Sequence, residues 1–222
     1  MTANTAGERA FSDDAARVAL GALGGPYLPW GSGAMRPAGL VMVCNDIVLG
    51  DRRRVVELGS GLSTVLLARL LAQRAPVGGF TLVAVEHDER WARWVREQLD
   101  REEIGEHVVV VDAPLTSCDG APGGLKWYDE AALAAGLDGA LGAAPIELLV
   151  VDGPPAYAAG HGLGRYPALP VLRSRLAPGG TVVLDDVERR GEQDVLRRWE
   201  SETDLVFHRH AEAAGVAVAT VR

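Results

Sequence analysis

The chain has 222 residues, 48% of them apolar, which favours a single α/β domain with a sizeable hydrophobic core. Its 22 Lys and Arg against 30 Asp and Glu give a formal net charge of −8, which argues against nucleic-acid binding and against an anionic membrane surface. With no signal-peptide pattern, no apolar run of about 18 residues and no disulfide framework, a soluble, cytoplasmic protein is expected.

The N-terminal part of the chain is predicted to be an extension that precedes a regular alternation of strands and helices. Residues 1–9 are expected to be disordered, and a loop rich in Gly and Pro follows the first helix. The predicted helices are 10–22, 36–49, 62–74, 88–100, 127–136, 164–178 and 188–201. The predicted strands are 55–58, 80–86, 107–112, 146–152, 180–186, 204–210 and 215–222.

The strands are continuous apolar runs that alternate with helices, a pattern typical of a parallel sheet covered on both faces. The last two strands are joined by only four residues, AEAA, too few for a parallel crossover, so the last strand should be antiparallel. We therefore predict an α/β, Rossmann-like fold with a seven-stranded, mostly parallel sheet. The predicted division is an N-terminal extension or lid over 1–35 and one domain over 36–222.

Acidic residues lie at the ends of most predicted strands, where open α/β sheets bind their ligands. They are Glu57, Glu86, Asp112, Asp152, Asp185 and Asp186. Because burying an acid is unfavourable, such a row indicates a functional edge more than core filling. A single acid can instead cap the next helix, as we expect for Asp88.

The segment ELGSGLST, residues 57–64, follows the first strand and opens a helix. Gly59 and Gly61 allow a ligand to approach the backbone, although a dinucleotide fingerprint would have a third glycine where Thr64 stands. A tight turn without a ligand is the alternative. Glu86 can accept both hydroxyls of a ribose, which suits nicotinamide and adenosyl cofactors alike.

Taken together, the motifs ELGSG, VEHD, VVDAP, LLVVDGPP and LAPGGTVVLDD resemble the class I S-adenosylmethionine-dependent methyltransferases over residues 36–222. The resemblance implies S-adenosyl-L-methionine as cofactor and methyl transfer to a small-molecule acceptor. It assigns the methionine and ribose part of the cofactor to Glu57, Gly59, Ser60, Gly61 and Ser63, the ribose to Glu86, the adenine to His87, Asp112 and Ala113, and the reacting centre to Asp152.

A divalent metal site is one interpretation of the acids near the reacting centre. Asp152 and the pair Asp185–Asp186 end neighbouring strands, and three carboxylates suit Mg²⁺ or a similar hard ion. The arrangement resembles catechol-type O-methyltransferases, which have an Asp-Asn pair there and a lysine soon after the first acid. This sequence has Asp-Asp and Gly-Pro-Pro instead. Either aspartate of the pair can alternatively cap the next helix.

A side-chain base is the other interpretation. His161 lies in the loop AAGHGLG, and histidine is the commonest general base. Tyr157 is a second candidate, as a hydrogen-bond donor or a wall of the substrate site. Trp30, Trp127 and Tyr128 are aromatic candidates for the acceptor site, with packing as the alternative.

A narrower resemblance, to the plant glucuronoxylan O-methyltransferases, covers residues 147–200. The matching residues are Asp152, Gly153, Pro154, Arg165, Asp186, Arg189 and Glu192. It implies a sugar or polyol hydroxyl as acceptor and makes Arg165 a candidate ligand for an acidic group on it, with surface ion pairs as the alternative.

The prediction is thus an O-methyltransferase acting on a small-molecule or sugar-like acceptor, with or without a divalent metal. N-methylation without metal, a cofactor-binding protein without turnover and a nicotinamide oxidoreductase are the alternatives. A homo-oligomer is left open.

Overall fold

The computed structural model describes residues 2–74, 79–158, 160–211 and 213–222, with side chains from residue 12 onward. The helices are α1 (Thr2–Gly21), α2 (Pro37–Leu49), α3 (Leu62–Arg74), α4 (Glu89–Arg101), α5 (Glu130–Leu141), α6 (Ala168–Leu172) and α7 (Arg190–Glu202). The strands are β1 (Arg54–Leu58), β2 (Thr81–Glu86), β3 (Val108–Asp112), β4 (Leu115–Ser117), β5 (Lys126–Tyr128), β6 (Ile146–Val151), β7 (Leu176–Leu184), β8 (His208–His210) and β9 (Val216–Thr220).

Seven strands form one sheet in the order β3-β2-β1-β6-β7-β9-β8, and β4 pairs with β5 in a separate hairpin. Strands β3, β2, β1, β6 and β7 run parallel to one another. Strand β9 is antiparallel to both β7 and β8. The predicted Rossmann-like sheet with an antiparallel last strand is therefore confirmed. The strand order reverses between β1 and β6, so a crevice opens at their carboxyl ends, the usual ligand position in such sheets.

Both faces of the sheet are buried, which explains the continuous apolar runs. On β1, Val56 and Leu58 face a core completed by α5, α6 and α7. Val55 faces the opposite core, which α1, α2, α3 and α4 complete. Successive side chains of a strand point to opposite faces, so one strand contributes to both cores.

The structure differs from the predicted elements in several places. Helix α1 begins at Thr2, so the segment predicted to be disordered continues the first helix, and Met1 lies outside the described residues. Residues 164–178 were predicted as a helix broken or begun by prolines; they form only the short helix α6, a 3₁₀ turn and the start of β7. The strand predicted over 204–210 is reduced to β8.

The helix predicted over 127–136 begins later than expected. Trp127 and Tyr128 belong to β5, where Trp127 pairs with Thr116 of β4. The helix starts at Glu130 because the Asp129 carboxylate accepts a hydrogen bond from the Ala132 amide at 2.8 Å and caps it.

The N-terminal segment packs on the sheet domain. Asp13 accepts hydrogen bonds from the Arg36 Nε and the Ala38 amide, both at 3.2 Å. Leu20 and Leu28 are buried in the core that α1, α2, α3 and α4 complete. The boundary between residues 35 and 36 stays a prediction. Among the described residues, no helix is long and apolar enough to cross a membrane.

Two glycines of α5 provide a matched test of the packing of α5 against β3. A Cβ at Gly136 would lie 2.4 Å from Val111 Cγ2, whereas a Cβ at Gly139 would have no atom within 4 Å. We expect Gly136→Ala to lower the free energy of unfolding by about 1–3 kcal/mol through overpacking against β3. Gly139→Ala should raise it by about 0.5 kcal/mol, because alanine restricts the unfolded chain. Urea unfolding of both variants checks this, and equal effects would contradict the packing.

Candidate functional site

A cavity of 320 Å³ lies at the carboxyl ends of the central strands, where the acids were predicted to converge. The predicted site residues around it are Gly59, Ser60, Glu86, His87, Tyr128, Asp152 and Tyr157. An adjoining cavity of 210 Å³ contains Gly61 and Ser63 and shares Ser60 and Asp152 with the first. The structure thus brings together most of the residues that the motifs selected.

The turn between β1 and α3 is shaped by close contact with the chain after β6. Gly59 has a φ of 92°, and a Cβ there would lie 3.0 Å from both Asp152 C and Gly153 N. A side chain at this position would be strained and would push the two strand ends apart. Glycine at this position therefore allows the β1–α3 turn and the chain after β6 to lie in close contact.

Thr64 fixes the same turn from below. Its hydroxyl accepts a hydrogen bond from the Gly61 amide at 2.9 Å and donates one to the Glu57 carboxyl group. Glu57 is fully buried, and burial raises its pKa to about 7. Glu57, predicted to contact the cofactor, thus lies beneath the glycine loop and does not line the cavity.

Glu86 ends β2 with its carboxylate fully engaged. One oxygen accepts the Ser60 amide and hydroxyl, each at 3.0 Å, and the other accepts the amides of His87 and Asp88 at 2.8 and 2.9 Å. Burial alone would raise the pKa of Glu86, but the hydrogen bonds from His87, Asp88 and Ser60 lower it below its usual value. The Glu86 carboxylate in turn raises the pKa of the His87 imidazole. A charged acceptor therefore faces the cavity.

The two predicted site residues at the end of β3, Asp112 and Ala113, are not among the described residues that line the two cavities. The Asp112 carboxylate is half exposed and pairs with Arg96 at 2.7 Å. Ala113 is fully buried, and its amide donates to the Glu86 carbonyl at 2.7 Å.

Two further residues border both cavities, Trp91 and Gly33. For Trp91, the sequence left a wall of the adenine site and helix packing open and favoured packing, and no motif selected Gly33. The Trp91 indole donates to the Ser60 carbonyl at 2.7 Å and stacks on Trp94, with ring centroids 4.8 Å apart. Its position one turn into α4, just after the acid of β2, was an available signal. Nothing in the N-terminal loop sequence singles out Gly33.

The three aspartates predicted to bind metal do converge. Oxygen atoms of Asp152, Asp185 and Asp186 lie within 4.8 Å of one another. The guanidinium of Arg165 lies among them, because its Nη2 donates to the Asp152 carboxylate at 3.2 Å and is 2.9 Å from the Asp186 carboxylate. Only 4% of the Arg165 side chain is exposed. The loop after β6 therefore places the positive charge of Arg165 beside the acids at the ends of β6 and β7.

Burial dominates the titration of Asp152 and Asp185. It raises the pKa of Asp152 to about 7, even though the neighbouring Arg165 charge opposes the shift. Burial and the Asp152 charge raise the pKa of Asp185 well above its usual value. Asp152 is consequently a carboxyl group that can exchange its proton near neutral pH.

Comparison with known proteins identifies the family of the chain. A methyltransferase-domain family model matches residues 56–187, more than half of the chain. The chain belongs to this methyltransferase family. The class I S-adenosylmethionine-dependent methyltransferase predicted from the motifs is thereby confirmed, and the protein is an enzyme of that kind. A search of curated proteins finds no significant match.

Solved methyltransferase structures share the fold at low sequence identity. An O-methyltransferase from Bacillus cereus in complex with S-adenosylhomocysteine has 18% identity and a TM-score of 0.59, with 95% of this chain and 90% of that chain covered. TomG, an O-methyltransferase of tomaymycin synthesis from Streptomyces achromogenes, in complex with S-adenosylmethionine, has 18% identity and a TM-score of 0.56, covering 95% and 89%. A methyltransferase from Podospora anserina bound to S-adenosylhomocysteine has 13% identity and a TM-score of 0.64, covering 97% and 88%.

The remaining predicted residues of the methyltransferase lie at varied distances from the cavity. His161 is exposed, and neither cavity's described lining includes it. Tyr157 is 77% exposed at the cavity mouth. Trp30 borders a different cavity, next to α1 and α3, and donates to the Met35 carbonyl at 3.3 Å. Trp127 is fully buried in its hairpin.

Tyr128 combines burial with contact to the cavity. Its side chain is buried, and its hydroxyl has no hydrogen-bond partner among the described protein atoms. Its ring lies edge-on to His87, with centroids 6.4 Å apart. A buried hydroxyl without a partner is unfavourable, so a polar group in the cavity would stabilise this arrangement.

The raised pKa of Glu57 predicts a pH-dependent stability difference. Because the folded pKa of about 7 exceeds the usual 4.5, the protein binds this proton more tightly when folded, and the stabilisation is lost as pH rises between those values. Wild type should therefore lose about 3 kcal/mol relative to Glu57→Gln, which stays neutral, between about pH 4 and pH 8.

Urea unfolding of both proteins across that range measures the difference. Glu147→Gln is the control, because Glu147 is only partly buried and binds Arg54 at the opposite end of the strands. A wild-type-minus-variant difference that does not change with pH would contradict the neutral, buried Glu57.

Proposed function

We propose that this methyltransferase transfers the methyl group of S-adenosyl-L-methionine to a hydroxyl oxygen of a small-molecule or sugar-like acceptor. The observation that carries the proposal is Asp152, a mostly buried carboxyl group with a pKa raised to about 7 that borders both cavities. A general base is most effective when its pKa lies near the working pH. Asp152 would accept the hydroxyl proton as the oxygen attacks the methyl carbon.

The cavity suits the proposed cofactor, which supplies an electrophilic methyl group on a sulfonium centre. Glu86 would accept the ribose hydroxyls in place of the Ser60 hydroxyl and the His87 imidazole, which bond to it here. The Tyr128 hydroxyl would gain the partner that the protein does not provide. Gly61 and Ser63 would border the methionine part, and Asp112 and Ala113 the adenine.

The charge of the cavity favours an adenosyl cofactor over a nicotinamide dinucleotide. Glu86 and Asp152 are acids that border it, and the sulfonium is a cation. A dinucleotide would place an anionic pyrophosphate beside the same glycine turn, where Thr64 replaces the third glycine of the usual fingerprint. Electrostatics therefore supports the adenosyl cofactor.

The acceptor would enter between the N-terminal loop and Tyr157. Gly31, Gly33 and Ala34 border the cavity that contains Asp152, so the extension over 1–35 would act as a cover for the domain over 36–222. The names of the Bacillus and Streptomyces relatives, both O-methyltransferases, support oxygen as the methylated atom.

Removing the charge of Glu86 should weaken cofactor binding. We expect Glu86→Gln to lower the affinity for S-adenosylhomocysteine at least tenfold, equivalent to about 1.4 kcal/mol, because an amide accepts ribose hydroxyls less strongly. Isothermal titration calorimetry measures this. The control is Glu89→Gln, a nearby change at an exposed residue of α4. Tighter binding of NADH than of either adenosyl ligand would refute the proposed cofactor.

Removing the base should change the pH profile of methyl transfer. For wild type, we expect kcat/KM to fall as pH drops below about 7, because protonated Asp152 cannot accept the hydroxyl proton. Asp152→Asn should lower kcat about 100-fold or more and abolish that ionisation. The control is Asp138→Asn, at an exposed residue of α5.

The measurement uses S-adenosylmethionine with a labelled methyl group and a panel of hydroxyl and amine acceptors. Products are identified by mass spectrometry. Methylation of amines alone would replace the proposal with N-methyl transfer. Cofactor binding without any product would replace it with a binding protein.

A further inference from the structure

We propose that the guanidinium of Arg165 takes the place of a divalent metal ion in the acidic corner, the cluster formed by Asp152, Asp185 and Asp186. Arg165 is then a positioning residue that orients the reacting carboxylate, and the enzyme works without a metal at this site. The proposal concerns the corner itself and holds whichever acceptor is methylated.

The guanidinium is held by acceptors on three sides. It donates to the backbone carbonyls of Asp152 at 2.8 Å, Asp185 at 3.2 Å and Pro154 at 3.5 Å. The same Nη2 that bonds to the Asp152 carbonyl also bonds to the Asp152 carboxylate and pairs with the Asp186 carboxylate. Arginine presents its donors in a rigid planar fork, so this set of contacts fixes both strand ends relative to each other.

A divalent ion would have to compete for the same oxygens. Mg²⁺ and Ca²⁺ bind six or more oxygen atoms at about 2.1 Å and about 2.4 Å respectively. In the corner, Arg165 Nη2 lies 3.2 Å from Asp152 Oδ1 and 2.9 Å from Asp186 Oδ2. An ion bound to those two oxygens would stand beside a buried positive charge, which is strongly unfavourable. The residues present therefore do not fit a metal while Arg165 keeps its position.

Two further charged side chains, Arg189 and Glu192, lie close to the acidic corner. Arg189 Nη1 lies 2.7 Å from the same Asp186 oxygen, so two guanidinium groups share that carboxylate. Glu192 is buried behind them, with its carboxylate 3.9 Å from Arg165 Nη1. The corner thus contains its own counter-charges, and the loop that carries Arg165 is tied to the start of α7.

The arrangement also restricts how the acceptor is recognised. An acceptor bound through a metal needs two oxygens placed to chelate it, whereas an acceptor activated by Asp152 needs a single hydroxyl group. Only 4% of the Arg165 side chain is exposed and its donors are directed at protein oxygens, so it is not placed to bind an acidic group of the acceptor, the role that the sequence resemblance implies. Recognition therefore falls to residues at the cavity mouth.

The first test is direct titration of the wild-type enzyme. Mg²⁺ and Mn²⁺ are added to protein saturated with S-adenosylhomocysteine and followed by calorimetry, with Asp152→Asn as comparison. We expect no binding at millimolar ion concentrations that depends on Asp152. One equivalent bound by wild type and lost in Asp152→Asn would overturn the proposal, and it would do so without affecting the evidence for cofactor binding.

The second test removes the internal cation. Arg165→Met keeps an unbranched side chain but removes the guanidinium, which leaves the three carboxylates without their central charge. We expect this variant to gain Mn²⁺ affinity of at least about tenfold over wild type, measured by calorimetry and by Mn²⁺ electron paramagnetic resonance. Arg189→Met is the matched control, because it removes one charge from the rim of the corner without touching Asp152.

The two variants separate a specific replacement from a general change in charge. Equal Mn²⁺ binding by both would contradict the proposal, as would no gain in a folded Arg165→Met. Folding is checked by circular dichroism, and Arg165→Gln, which also removes the charge but keeps a hydrogen-bond donor, is used if the methionine variant is unfolded. A gain confined to Arg165 variants would support the arginine as the replacement for a metal.

Discussion

The acidic corner depends on one buried interaction, the contact of the Arg165 guanidinium with the ends of β6 and β7. Arg165 bonds to the carbonyls of Asp152 and Asp185 and to the carboxylate that faces the cavity. A buried ion pair adds little net stability compared with an apolar core, but leaving one of its charges unpaired is strongly destabilising. The loop over 152–167 is therefore constrained to return to the strand ends, and the position of Asp152 follows from that return.

Two glutamates of the same site illustrate how hydrogen-bond donors decide the state of a buried acid. Glu57 is fully buried and receives only hydroxyl donors, so desolvation prevails and its pKa rises. Glu86 is also buried, but backbone amides and side chains of Ser60 and His87 offset desolvation and its pKa falls. One acid thus has a raised proton affinity beneath the glycine turn, and the other is a charged acceptor in the cavity.

The sequence predicted the sheet well because buried parallel strands are continuous apolar runs, and helix 62–74 was predicted with its observed bounds. It failed at Trp127 and Tyr128, because their strand is created by pairing with β4, a tertiary contact that no local pattern reveals. The convergence of the acids followed from neighbouring strand ends. The cation among them did not, because Arg165 reaches the corner only through a loop whose path depends on packing.

The same limit of local patterns applies to Trp91. Trp91 lies on the amphipathic helix α4, yet its indole bonds to the Ser60 carbonyl and borders both cavities. Ser60 in turn bonds to Glu86, so one polar chain connects α4, the glycine turn and β2. Spacing along a helix identifies a face, whereas only the fold shows which part of that face reaches the strand ends.

A cation that is part of the polypeptide has a different chemical consequence from a bound metal. A metal lowers the pKa of an acceptor hydroxyl by direct coordination, whereas Arg165 contacts only protein oxygens and acts on the carboxylate beside it. Desolvation raises the pKa of Asp152 and the Arg165 charge opposes it, so the balance between burial and one ion pair sets the proton affinity of the proposed base.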